Sequence, residues 1–140
     1  VAAKASPGGP SVFAVCDEMK KLGWYVQAQF AFGHSPENIH FSLHPGNAGR
    51  VPEMVVDLAK AVEAARAFIV DEALISGVCA MFGASTEVPP TAIEGLLRSA
   101  GITSEGGLPD AMAPVNHLLN ALPPTVREQL IAGFMQTLYR

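Results

Sequence analysis

Three histidines, His34, His40 and His44, fall within eleven residues, the densest group of potential metal ligands or proton carriers in the chain. Geometry argues against a shared metal. On one strand His40 and His44 would share a face but stand about 13 Å apart at a rise of roughly 3.3 Å per residue. Each is expected as a hydrogen-bonded or solvent-facing imidazole, and His40 as a sheet residue rather than a substrate contact. Asp17 and Glu18 adjoin as an acid/base pair could, yet lysines follow and an apolar stripe lies opposite, which describes a solvated helix face. Ser76 and Ser85 lack the Gly-x-Ser-x-Gly spacing of a nucleophile elbow. The glycines of HPGNAG lack phosphate-loop spacing. Cys16 and Cys79 are the only cysteines, without the paired spacing of a zinc site or disulfide framework, and read as free, buried thiols. Lys20 and Lys21 sit at a helix end and Lys60 on the polar side of a helix, where a hydrated ammonium is no nucleophile.

The elements that would position these residues follow from periodicity. Val1 to Ala5 is a short strand candidate, and SPGGP is a turn. Ser11 is the N-cap of a helix whose apolar stripe is Val12, Phe13, Val15, Cys16, Met19 and Leu22, and Gly23 stands where a left-handed C-cap belongs. From Trp24 to Phe30 the period becomes two, with Trp24, Val26, Ala28 and Phe30 on one face and Trp24 as a core anchor. Ile39, Phe41 and Leu43 alternate with His40, Ser42 and His44 in a second strand, and a loop of about seven residues makes the pair antiparallel.

A breaker cluster, HPGNAGRVP, leads to a long helix running to about Ile69. Its stripe is Met54, Val55, Leu58, Ala61, Val62 and Ala65, with Asp57, Lys60, Glu63 and Arg66 outside. Ser76 to Ser85 reads as a small-residue, flexible segment packed closely on another surface. Pro90 opens a short helix through Ser99, Gly101 closes it, and helices at about Ala111 to Leu122 and Thr125 to Tyr139 finish the chain.

Composition narrows the class of protein. Hydrophobic residues make up 49% and charged residues 16%, against about 25% charged in an average domain, so part of the apolar surface is expected to meet a partner. No apolar run reaches the roughly 18 residues of a membrane span. A net charge of -4 without a Lys/Arg stripe argues against nucleic acid or an anionic membrane. A soluble, cytoplasmic chain is expected. The absence of an initiating Met and the opening VAAKA are read as a fragment of something longer.

The run Met19, Gly23, Trp24, followed by Pro36, Ile39, His40 and Phe41, resembles the C-terminal small domain of sphingosine-1-phosphate lyase and its group II decarboxylase relatives. GVCAMFGAS and the closing FMQTLYR resemble C-terminal segments of the same enzymes. Residues 102 to 124 have no counterpart in this resemblance. It implies an α+β fold of the aspartate-aminotransferase class, fold type I. A short antiparallel sheet is covered by helices in residues 1–85, and a helical C-terminal extension occupies 86–140.

The resemblance also implies pyridoxal 5'-phosphate in the full-length enzyme, held by a lysine that follows a histidine in an N-terminal large domain. None of Lys4, Lys20, Lys21 or Lys60 follows a histidine, so this chain alone is expected to be inactive, with no catalytic or cofactor-binding residue of its own. It would wall the substrate pocket and support a homodimer. Phe82 and Gly83 are the expected substrate-facing residues. The family usually has tyrosine where Phe82 stands, and Phe82 cannot donate a hydrogen bond to a phosphate. The function that the resemblance implies is a carbon-carbon lyase domain acting on a phosphorylated long-chain base, with Phe82 as the departure from its pattern. The alternatives are an amino-acid decarboxylase domain or a free-standing α+β binding module.

Overall fold

Ser11 begins the first helix as its type requires. In the computed structural model, which describes residues 2–4, 8–82, 89, 91, 92, 95, 98 and 109–138, its hydroxyl accepts from the Ala14 N–H at 3.2 Å. Helix α1 (Val12–Lys21) then buries Val12, Phe13, Ala14, Val15 and Met19. Its end explains the Met-x-x-x-Gly-Trp string. Gly23 adopts φ +84°, its N–H donates to the Lys20 carbonyl at 3.0 Å, and the Trp24 N–H reaches back to the Met19 carbonyl at 2.9 Å. That is a Schellman cap, in which the left-handed residue is best a glycine and the next residue closes a six-residue ring.

Three strands follow the antiparallel expectation. Strands β1 (Ala2–Lys4), β2 (Gln27–Gln29) and β3 (Asn38–His40) form a sheet of order β1-β3-β2, with Ile39 opposite both Ala3 and Ala28. The fold is α+β. From Trp24 to Phe30 the even positions are half-buried and the odd ones exposed, so the expected alternation holds. The paired strands are shorter than periodicity indicated. The Trp24 N–H is already committed to the helix cap, and His44 leaves the sheet to cap a 3-10 turn (Pro45–Arg50). Leu43, expected on the buried face, is 49% exposed. Phe13 of α1 meets Phe30 with ring centroids 6.0 Å apart, and Ile39 and Phe41 join that core.

Helix α2 (Val51–Ala64) carries Pro52 and Glu53 in its first turn, as expected at an N-terminus. It stops at Ala64 rather than near Ile69, passing into a 3-10 turn (Ala65–Ala67). Ala61 and Ala65 are buried against α1, but Val55 is 56% exposed and Asp57 is covered. The expected stripe is covered at Met54, Leu58, Ala61, Val62 and Ala65 and departs from expectation only at Val55, while Asp57, expected outside, is covered where Trp24 meets it. These elements make up one compact unit, Val1–Val70; Asp71–Arg140 make up another.

In the second unit, residues 76–82 of the segment expected to be a flexible stretch belong to helix α3 (Glu72–Phe82). Asp71 caps it, accepting from the Leu74 N–H at 2.9 Å. Ile75, Val78, Cys79 and Phe82 recur at i, i+3, i+4 and i+7 and form its covered side. That apolar period outweighs the cost of Gly77, roughly 1 kcal/mol relative to alanine. Helices α4 (Ala113–Ala121) and α5 (Pro124–Leu138) match the two terminal helices expected, joined by Leu122 and Pro123. Val78, Phe82, Leu118, Leu122, Val126 and Leu130 form this unit's apolar core. The readings placed on Gly83, Ser85, Pro90, Gly101 and Tyr139 lie outside the described residues.

Candidate functional site

Trp24 is where the elements of the first unit converge. The α1 cap delivers it half-buried, and its indole N–H donates to Asp57 Oδ2 at 3.0 Å. The Arg50 guanidinium lies over the ring, 4.3 Å from its centroid. Arg50 is itself held by Glu53 through two bonds, Nε to Oε2 at 3.0 Å and Nη2 to Oε1 at 3.2 Å. Asp57 Oδ1 accepts from Lys60 Nζ at 2.9 Å. The Lys60 and Trp24 hydrogen bonds hold the Asp57 carboxyl below the ordinary carboxylate range. The hydrogen bond that Arg50 donates to Glu53 raises the guanidinium above its already high value.

A recess of about 80 Å³ opens beside this group, lined by Trp24, Tyr25, Phe41, Leu43, Arg50 and Met54 among others. Tyr25 is 93% exposed at its rim. The partners of Trp24 were not anticipated from sequence, although Arg50 and Asp57 stand seven residues apart and therefore share one face of a helix.

Phe82 ends α3 with 4% exposure, its ring inside the apolar core, whereas Met81 beside it is 68% exposed. Gly83 lies beyond the described residues. His34 and His44 are exposed and His40 half-buried in the sheet. Among the described residues no group of three or more His, Cys, Asp or Glu could hold a metal ion. Cys16 and Cys79 are free thiols, half-buried rather than fully enclosed. Burial, with Asp17 beside it, pushes the Cys16 thiol up to about 12. Cys79 Sγ donates to the Ala121 carbonyl at 3.4 Å.

Lys60 is engaged by Asp57, and Lys21 by Glu18. Each is an ion pair of an exposed lysine with a residue three positions away on the same helix.

Residues 53–137, more than half of the chain, match the family described as pyridoxal-dependent enzyme, C-terminal putative HTH domain. The chain belongs to this family of C-terminal domains of pyridoxal-dependent enzymes. No curated protein and no solved structure matches it. No described helix is long and apolar enough to cross a membrane.

Proposed function

We propose that the chain serves a pyridoxal-phosphate-dependent carbon-carbon lyase of the sphingosine-1-phosphate lyase type, which cleaves a phosphorylated long-chain base to an aldehyde and phosphoethanolamine. The observation that carries this reading is the Schellman cap made by Met19, Gly23 and Trp24, set beside the Ile39-His40-Phe41 strand. It gives the string that resembles those lyases a structural reason. In this reading residues 1–85 are a fold-type-I small domain and 86–140 its extension. The domain walls the pocket of a cytoplasmic homodimer and excludes water while the large domain carries the cofactor. In this reading Phe82 and Gly83 are the residues that meet the substrate. With the Phe82 ring held in the core, the contact falls to the backbone and to Gly83.

A group II amino-acid decarboxylase is the second reading, favoured by one observation. Phe82 has no hydroxyl and is buried, so it offers no donor to a substrate phosphate. Nucleic acid is not the partner in either reading, despite the helix-turn-helix description. The matched stretch 53–137 has four basic residues against ten acidic ones. Moreover Arg127, near the start of α5 where such a helix would read bases, is 8% exposed. Family membership leaves little room for the free-standing module.

The test begins with the full-length enzyme. A visible absorbance band bleached by borohydride identifies a lysine-bound cofactor, and product analysis with a phosphosphingoid base and with amino acids separates the two readings. Aldehyde and phosphoethanolamine support the first; carbon dioxide and an amine from an amino acid support the second. Absence of the band with added cofactor sinks both.

A further inference from the structure

His44 stands at the N-terminus of the Pro45–Arg50 turn, in a position usually taken by serine, threonine, aspartate or asparagine. Its Nδ1 accepts from the Gly46 N–H at 3.1 Å, and its own N–H donates to Asn47 Oδ1 at 3.0 Å. Asn47 Nδ2 donates in turn to the Ser42 carbonyl at 3.1 Å. The ring lies so close that a Cβ on Gly46 would stand 3.0 Å from both Cε1 and Nδ1. The glycine therefore lets the imidazole seat on the turn. A hydroxyl or amide cap would hold this bond at any ordinary pH. An imidazole holds it only while Nδ1 is bare, because both nitrogens become donors once the ring is protonated.

We propose that His44 is a pH-sensitive cap: protonating it breaks the bond to Gly46 and loosens the Pro45–Arg50 turn, which seats Arg50 on Trp24. The mechanical link is short. Arg50 is the last residue of the turn, and Asn47 and Arg50 both line the recess beside Trp24. The charged groups on the elements joined to the turn are Arg50 and Glu53, paired to each other, then Asp57 and Lys60 further along α2, also paired. His40, half-buried, ends β3 four residues earlier. Both acids are thus engaged by a cation, and among the described residues no ion pair gives a His44 imidazolium a carboxylate to offset the lost cap. The proposal does not depend on the lyase reading, since it concerns only residues 42–57.

Long-range proton-nitrogen NMR of the His44 ring tests it directly, followed with the Gly46 amide and Trp24 emission from about pH 8 to about pH 5. A bare Nδ1 at the upper end is expected. On acidification the Gly46 amide signal should move together with the His44 ring, its hydrogen exchange quickening several-fold, and Trp24 emission should change over the same range. In His44→Asn, which keeps an acceptor but cannot titrate, the Gly46 amide and Trp24 emission should be flat there. A proton on Nδ1 at the upper end overturns the proposal, as does a Gly46 amide that ignores the ring in the wild type. An unchanged pH response in His44→Asn, with helix content intact by circular dichroism, overturns it equally.

Discussion

Trp24 is the only tryptophan in the chain, so its emission reports on the contacts that hold it. Lys60 and Trp24 both stabilise the ionised Asp57 carboxylate, and its folded pKa therefore lies below the unfolded value of about 3.9. Stability from this group is present above that value and is lost as pH falls through the lower folded one. Urea unfolding followed by Trp24 emission should show the wild type losing more stability than Asp57→Asn between about pH 5 and about pH 2. Equal losses would mean that the carboxylate is not held. For Cys16 the sign is opposite. Burial raises the thiol to about 12, so the native protein favours the protonated form, and stability falls as pH rises from the unfolded value of about 8.5 towards the folded one. At mildly alkaline pH, iodoacetamide should leave Cys16 unmodified in the native chain and label it once the chain is unfolded, as read by peptide mass spectrometry.

Among the elements, the end of α1 is the part most legible from sequence. Serine at the start, an apolar 3.6 period and glycine at the end have local causes, and Ser11 and Gly23 take the roles their types suggest. Replacing Gly23 by alanine forces a Cβ into the left-handed region at a cost of about 1–2 kcal/mol. No neighbour stands within 4 Å of that Cβ, so the cost is conformational rather than steric. Replacing Ser11 by alanine should cost about 1 kcal/mol. Thermal unfolding of the two single variants and the double variant measures both, and near-additive losses are expected because the caps lie at opposite ends of α1. Helix α3 was less legible. Its small residues and Gly77 mask the stripe Ile75, Val78, Cys79 and Phe82, which carries the helical period as clearly as α1 does. The strand ends were hidden for a different reason: Trp24 and His44 spend their backbone donors on caps, a choice that alternation of side chains does not record.

For the molecule as a whole, the apolar cluster around Phe82 decides what that residue can contribute. Phe82→Ala should destabilise the Asp71–Arg140 unit by about 3–5 kcal/mol. Phe82→Tyr, which restores the hydroxyl usual in the lyases, should cost about 1–3 kcal/mol if the hydroxyl stays in the core. A tyrosine variant as stable as the wild type would show that the ring edge reaches water or a partner, which would revive a direct hydrogen bond to substrate. The acidic balance of 53–137 makes a further expectation. Fluorescence anisotropy of a labelled DNA duplex should stay unchanged on titration with the protein at low salt, where electrostatic binding is strongest.

The sequence by itself determined the α+β class, the two caps of α1, the antiparallel pairing and the two closing helices. Periods of 2 and 3.6 and the conformational preferences of serine and glycine act over a few neighbouring residues. It also carried, through Met19, Gly23, Trp24 and the Ile39-His40-Phe41 strand, the likeness to pyridoxal enzymes that family membership bears out at its coarser level. Only the tertiary structure decided that Asp57 and Arg50 hold Trp24, that His44 caps a turn instead of extending a strand, and that Phe82 lies inside a core. The contacts of Trp24 and Phe82 depend on residues brought together from separate elements, and no local pattern states which partner a side chain will meet; the His44 cap is made within three residues, but it is a choice that the alternation of side chains does not record.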